Sequence, residues 1–440
     1  MDERRTLDSE AVDLAVVGGG PAGVALVLSA RSLHPDWRIA WCRGATRRFL
    51  PAYDGNSAVH RLNVPVERMG LNPDAPVDFL DWLQQRHPDR AVVPGQFVPR
   101  LWFGDYLRER VAAAAIHECT GAVRALQGDG AGWRVEFSDS QPPLRARRVA
   151  LALGLPASLP VSAAPPCWVG DAWAWWRALP ADGLPLQPAD EVLIVGSGLT
   201  AVDMVLGLRD RGFAGRVRVV SPSGRWSLPH APIAALADDA RSALDAALDR
   251  AATARTLLRV LRDFAMHYPW RAVIDALRAG TNARWAALPQ REQQRVLRHL
   301  FGHWNRHRHR MAPDVAERLA GDKALTLERG RIRITADGRL ERHGAFAIEA
   351  LSPALALDCR GPGFAAALRG DSLLARLVRD GVLQPHPLGT GIATPADATL
   401  QVVGAATFGE RFETASVPEL RAQARDAIQA FGASQSRGTR

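Results

Sequence analysis

The chain has 440 residues, 47% hydrophobic and 23% charged, with a formal net charge of +9. That length calls for two or three domains and the composition is that of an ordinary soluble globular protein, while no apolar run reaches the roughly 20 residues that span a bilayer. The opening "MDERRTLDSE" is polar with no apolar stretch behind it, so a secretory signal is not expected and a cytoplasmic enzyme is the simplest expectation.

The positive charge is carried by dispersed arginines without interleaved aromatics, which argues against a nucleic-acid surface and for anionic ligands such as pyrophosphate. Four cysteines (Cys42, Cys119, Cys167, Cys359) form no CxxC, which argues against a redox dithiol, a zinc ribbon or a disulfide framework.

In chain order, "DLAVV" (13–17) predicts a short buried strand, Gly18–Gly23 a turn, "PAGVALVLSARSL" a helix and "RIAW" the next strand, a βαβ opening. Gly18 permits the tight turn, Gly20 the approach of a pyrophosphate and Gly23 close helix–strand packing, with Pro21 and Ala22 opening the helix. The strand after such a loop ordinarily ends in an acid that grips a ribose; here Cys42 and Arg43 follow. Cys42 reads first as a half-buried small hydrophobe, and Arg43, Arg47 or Arg48 as contacts to phosphate or adenine.

"AVRALQGDGAGWRVEFSD" predicts a hairpin around Gly-Asp-Gly, and "RRVALALGLPASLP" a strand entering a loop. Residues 160–189 read as a junction whose "DAWAWW" (171–176) packs a domain interface. "DEVLIVGSGLTAVDMVLGLRDRG" then repeats the strand–glycine turn–helix grammar with Gly196, Gly198, Leu199 and Thr200, and Ala201 in the third place. The strand after it ends "VVSPSGR" with no carboxylate. Ser221, Ser223 and Arg225 there suit a 2′-phosphate, so NADPH is expected over NADH.

Residues 233–322 have helical spacing and are rich in Ala, Leu and Arg. A helix would align His299, His303 and His307; the run reads first as a helix surface, second as a contact to substrate or NADPH, and last as a metal site, since no carboxylate or thiolate stands close in sequence. Beyond 325 the pattern returns to strands, with a turn at Asp337-Gly338 and a last buried strand "ALALDCRG". "VPELRAQARDAIQAF" predicts an amphipathic helix and "GASQSRGTR" a disordered tail.

Two such loops in one chain suggest FAD in a first domain and NAD(P)H in an inserted one. The sequence resembles the FAD/NAD(P)-binding proteins that carry "LNVP" (Leu62 to Pro65), "VPR…YL" (Val98 to Arg100, Tyr106-Leu107), "GLTAVD" (198–203), "W…HRHR…AP" (Trp304, 307–310, 312–313), "PLG.G" (387–391) and "VPE.RAQA" (417–424). These matches run from about residue 14 to 428. That family is related to two-dinucleotide flavin-dependent monooxygenases, among them urate-hydroxylase-like members.

The resemblance implies an α/β fold: an FAD-binding Rossmann-like domain (10–160 and 356–430), an inserted NAD(P)H-binding Rossmann-like domain (185–232 and 325–355) and a helical subdomain (233–324). It implies cofactor contacts for Leu62, Asn63, Val64, Arg100, Ser416 and Val417 and a segment at Gly404-Ala405 that closes over the FAD pyrophosphate; the residues of the histidine run themselves offer Asn305, His307 and His309 as substrate contacts. The chain departs from the family at Cys42, where Glu is usual, at Arg360, where Thr is usual, and at Phe412, where Trp is commoner.

The expected activity is hydroxylation of a small molecule with NADPH and O2 through a flavin C4a-hydroperoxide, with the flavin carrying the chemistry and no metal. A reductase or oxidase without oxygen transfer, or a degenerate non-enzymatic member, is the alternative. Weak FAD retention is expected, restored by Cys42→Glu.

Overall fold

The computed structural model describes residues 11–44, 53, 57–154, 161, 163–180, 183–361, 364, 368 and 370–437. Arg47 and Arg48 lie outside the described residues. The chain divides into two compact units, Met1–Asp54 with Val64–Ala157 and Pro362–Arg440, and Gly55–Asn63 with Ser158–Gly361.

The first unit opens β1 (Leu14–Val17), α1 (Pro21–Leu33), β2 (Ile39–Cys42), α2 (Asp78–Arg86), α3 (Arg100–Ala112), β3 (His117–Cys119), β4 (Val123–Gly128), β5 (Trp133–Phe137), β6 (Leu144–Ala146) and β7 (Val149–Leu151). With the late strand β16 (Leu400–Val402) these form a five-stranded sheet in the order β16-β7-β1-β2-β3, every pairing parallel. β1 and β2 are apolar and buried at every position, as strands covered on both faces must be. The expected hairpin is present: β4, β5 and β6 make an antiparallel sheet, and Asp129 N–H donates to Gly132 O (3.1 Å) at its turn. Its residues Val123, Leu126 and Val135 join Val17, Cys42, Cys119 and Leu151 in one apolar cluster. α1 packs along the C-terminal helix Val417–Arg437. That helix continues through residues 432–437, which were expected to be disordered; no proline stops it there.

The second unit contains β8 (Trp168–Val169), α4 (Ala172–Ala178), β9 (Glu191–Val195), α5 (Leu199–Asp210), β10 (Arg216–Ser221), β11 (Leu325–Arg329), β12 (Arg331–Ile334), β13 (Leu340–His343), β14 (Ile348–Leu351) and β15 (Leu355–Asp358). The order β11-β10-β9-β15-β8 is again parallel throughout, beside the antiparallel sheet β12-β13-β14. β15 pairs with β9 and β8, so residues 356–361 fall with this unit rather than with the first segment's domain, as the sequence reading had them. Between β10 and β11 the chain is helical from Asp238 to Gly321 around Leu244, Leu248, Val273 and Leu277. The tryptophan cluster expected at a domain interface is partly internal to this unit. Trp176 is buried, and a Cβ at Gly207 of α5 would lie 2.6 Å from its ring.

Candidate functional site

In the first unit the glycine loop is clamped to the tips of its neighbours. Gly18 has φ +132°, and a Cβ there would lie 2.1 Å from Ala152 O. Only glycine combines that backbone with that approach. Gly18 N–H donates to Cys42 O (2.9 Å), and the Trp41 indole N–H donates to Gly18 O (2.9 Å). A Cβ at Gly23 would meet Gly18 O at 2.1 Å, so helix and loop touch. Gly20 is the N-cap of α1 and Pro21 its first residue; no side chain caps the helix and its first turn holds no acid. The free N–H groups and the positive end of the macrodipole remain for an anion.

The C-terminal segment comes to the same helix. Gly404 has φ +87°, and a Cβ there would touch Ala22 Cβ at 3.4 Å. Its N–H donates to Gln423 Oε1 (3.0 Å), and Ala405 follows it in a short 3-10 turn. Ser416 and Val417 begin the C-terminal helix, with the Ser416 hydroxyl turned onto the Glu419 carboxylate. Arg100 opens α3.

Cys42 and Arg43 face different surroundings. Cys42 is 2% exposed, deeper than expected, and its free thiol donates a hydrogen bond to the sulfur of Cys119, opposite it on β3. The Cys42 thiol is pushed well up, first by that bond and then by burial. Arg43 pairs with Glu118 (2.9 Å) and packs on the loop, where a Cβ at Gly19 would lie 3.1 Å from Arg43 Cβ.

The second unit repeats the loop. Gly196 has φ +107° beside Cys359 O, and its N–H donates to Val220 O (2.8 Å). Gly198 caps α5, Leu199 and Thr200 form its first turn, and again there is no side-chain cap and no acid. A Cβ at Gly198 would meet nothing within 4 Å. Ser221 ends β10 buried, while Ser223 and Arg225 stand exposed beyond it. Leu62 and Asn63 belong to this unit and Val64 to the first; Asn63 O lies 3.0 Å from His230 Nε2. Arg360 pairs with Asp358 (2.7 Å) and covers the Trp168 ring.

The histidine run is not one regular helix. A π-helical turn, Val296–Leu300, holds His299, and the α-helix restarts at Phe301. His307 packs edge-on against Trp270, its Nδ1 lies 2.7 Å from His303 O, and burial pushes its pKa down. His309 N–H donates to Asn305 O (2.9 Å). Among the described residues no group of three His, Cys, Asp or Glu could hold a metal ion, and no helix is long and apolar enough to cross a membrane. Sequence reasoning missed Trp41, Gln423 and Arg306 as residues that brace the loops. Nothing in "IAWC", apolar and buried at all four positions, singles out Trp41.

Residues 15–156 match the family described as FAD-NAD(P)-binding. No curated protein matches. Among solved structures, an ornithine N-hydroxylase from Kutzneria sp. 744 is similar at 15% identity and TM-score 0.63, over 97% of this chain and all of that one. L-lysine 6-monooxygenase from Pseudomonas syringae is similar at 19% and 0.57, over 98% of this chain and 100% of that one. Bacillithiol disulfide reductase from Staphylococcus aureus is similar at 11% and 0.56, with the same coverage. The match to the FAD-NAD(P)-binding model thus falls on the first glycine loop and its sheet, and the chain as a whole has the fold of these solved structures.

Proposed function

We propose that the protein is an FAD-dependent, NADPH-consuming monooxygenase that hydroxylates a small molecule. The observation that carries this is the duplicated loop: each parallel sheet has its own glycine turn opening a helix that neither a side chain caps nor an acid neutralises. Two dinucleotides fit two such ends. In this reading the Gly18–Gly23 loop and the start of α1 hold the FAD pyrophosphate and Gly404-Ala405 close beside it. Val64, Arg100, Ser416 and Val417 of the same unit are kept as flavin-side residues. Gly196, Gly198, Leu199, Thr200 and Arg225 form the NADPH site, and Ser221 braces the turn that presents Arg225. Asn305, His307 and His309 are kept as substrate contacts. Bound flavin supplies hydride acceptance and O2 activation; the chain supplies orientation and exclusion of water.

The thiols favour oxygen transfer over disulfide reduction. Exchange needs an accessible thiolate. Cys42, Cys119 and Cys359 are buried, and burial raises the pKa of the half-buried Cys167.

The test is spectroscopic. Protein supplemented with FAD should show flavin absorbance that NADPH bleaches and air restores. A panel beginning with L-ornithine and L-lysine, the compounds in the neighbours' names, should include one that raises oxygen uptake without equivalent peroxide. Protein that takes up no FAD sinks the proposal. Peroxide equal to NADPH consumed across the panel leaves an oxidase instead.

A further inference from the structure

The turn after β10 is braced by hydroxyls and flanked by arginines. Ser197 Oγ lies 2.8 Å from both Ser221 Oγ and Arg225 O. Gly224 N–H donates to Ser221 Oγ (3.1 Å), and Arg225 N–H to Ser223 Oγ (3.3 Å). Ser221 is therefore spent on holding the turn, and Arg225 is left exposed at its rim.

A second guanidinium arrives from the helical segment. Arg306 Nε donates to Trp226 O (3.1 Å), next to Arg225, and Leu228 N–H donates to Arg306 O (3.0 Å). The helix is thus stitched to the turn on both sides of Arg306. Among the described residues no carboxylate pairs with Arg225 or Arg306. Burial, and then the charge of Arg225, push the Arg306 pKa down. Two like charges held together cost free energy that a bound anion offsets, and planar guanidinium forks match phosphate oxygens.

We propose that Arg306 is a second determinant of nucleotide choice, clamping the 2′-phosphate of NADPH together with Arg225. The inference rests on the NADPH reading above. It places a specificity residue in the helical segment, about 80 positions beyond the strand end where nucleotide choice is ordinarily read.

The experiment is calorimetric titration of the purified protein with adenosine 2′,5′-bisphosphate and with 5′-AMP. Arg306→Gln keeps a donor for Trp226 O and removes the charge. It should bind the bisphosphate about 10- to 100-fold more weakly, with 5′-AMP unchanged. The NADPH-to-NADH ratio of kcat/KM should fall by a similar factor, and Arg306→Lys should keep most of the preference. Unchanged discrimination in Arg306→Gln overturns the inference. Equal weakening of both nucleotides also overturns it, by marking a structural role. Wild-type protein that binds FAD but does not distinguish the two nucleotides overturns it too, with the oxidoreductase reading intact. Protein that takes up no FAD yet prefers the bisphosphate supports it while sinking the proposed function.

Discussion

Cys42 stands opposite Cys119 in the parallel register of β2 and β3, and its free thiol donates a hydrogen bond to the Cys119 sulfur inside the apolar cluster under the antiparallel sheet. The position where an acid ordinarily grips a ribose is therefore turned into the core. Cys42→Glu, expected from sequence to restore that grip, should instead bury a carboxylate among Val17, Val123 and Leu377. The cost is about 3–5 kcal/mol. Thermal melts should show a large loss, and flavin-fluorescence titration no tighter FAD. Tighter FAD at an unchanged melting temperature would place this side chain toward the ribose and refute the packing described.

The two glycine loops were legible because their geometry demands glycine. The facing of Cys42 was not, because its partner lies 77 positions away and alternation does not say which face is core. The histidine run misled for a local reason. Equal spacing of His299, His303 and His307 implies alignment only on an unbroken α-helix, and the π turn shifts the phase. β15 joined the second sheet through pairing with β9, which no property of "ALALD" announces. Arg306 is one of 55 basic residues, and only the fold puts it beside Arg225.

Gly18 and Gly198 should respond differently to the same methyl. At Gly18 it meets Ala152 O at 2.1 Å on a positive-φ backbone, so Gly18→Ala should cost about 2–5 kcal/mol in strain and overpacking. At Gly198 the backbone is extended (φ −78°, ψ −176°) and the space is open. Gly198→Ala should melt like wild type yet raise KM for NADPH about tenfold or more, by occupying room meant for the nucleotide. Melting curves with NADPH-oxidation kinetics check both. An unchanged KM in a folded Gly198→Ala protein removes the second loop from the NADPH site.

Tyr106 ties three segments of the first unit. Its Oη lies 2.7 Å from both Asp78 carboxylate oxygens and accepts the Leu71 N–H (2.9 Å), while Arg110 Nε donates to Asp78 (3.0 Å). Burial and the charge of Asp78 push the phenol pKa up, so it stays a donor across the working range. Tyr106→Phe leaves the buried Leu71 N–H unpaired at a cost of about 1–3 kcal/mol. A chemical-denaturation midpoint equal to wild type would show that water takes over the bond.

Gln423 holds the Gly404 turn against α1. Its Oε1 accepts the Gly404 N–H (3.0 Å), Gly404 O accepts the Thr407 hydroxyl (2.8 Å), and Gln423 Nε2 donates to Thr414 O (3.4 Å). All three side-chain-bearing residues are buried. Gln423→Leu keeps the volume and removes these two bonds together with the longer one that Oε1 accepts from the Thr407 hydroxyl (3.5 Å). It should cost about 1–3 kcal/mol and, by loosening the segment beside Ala22, weaken FAD about tenfold. The discriminating measurement is the FAD dissociation constant well below the melting temperature. If the variant melts early yet holds FAD as wild type does, Gln423 serves stability alone and Gly404 is not part of the flavin site. If both fall together and Gln423→Glu, which can still accept from Gly404 N–H, recovers FAD binding in part, the turn is held for the cofactor.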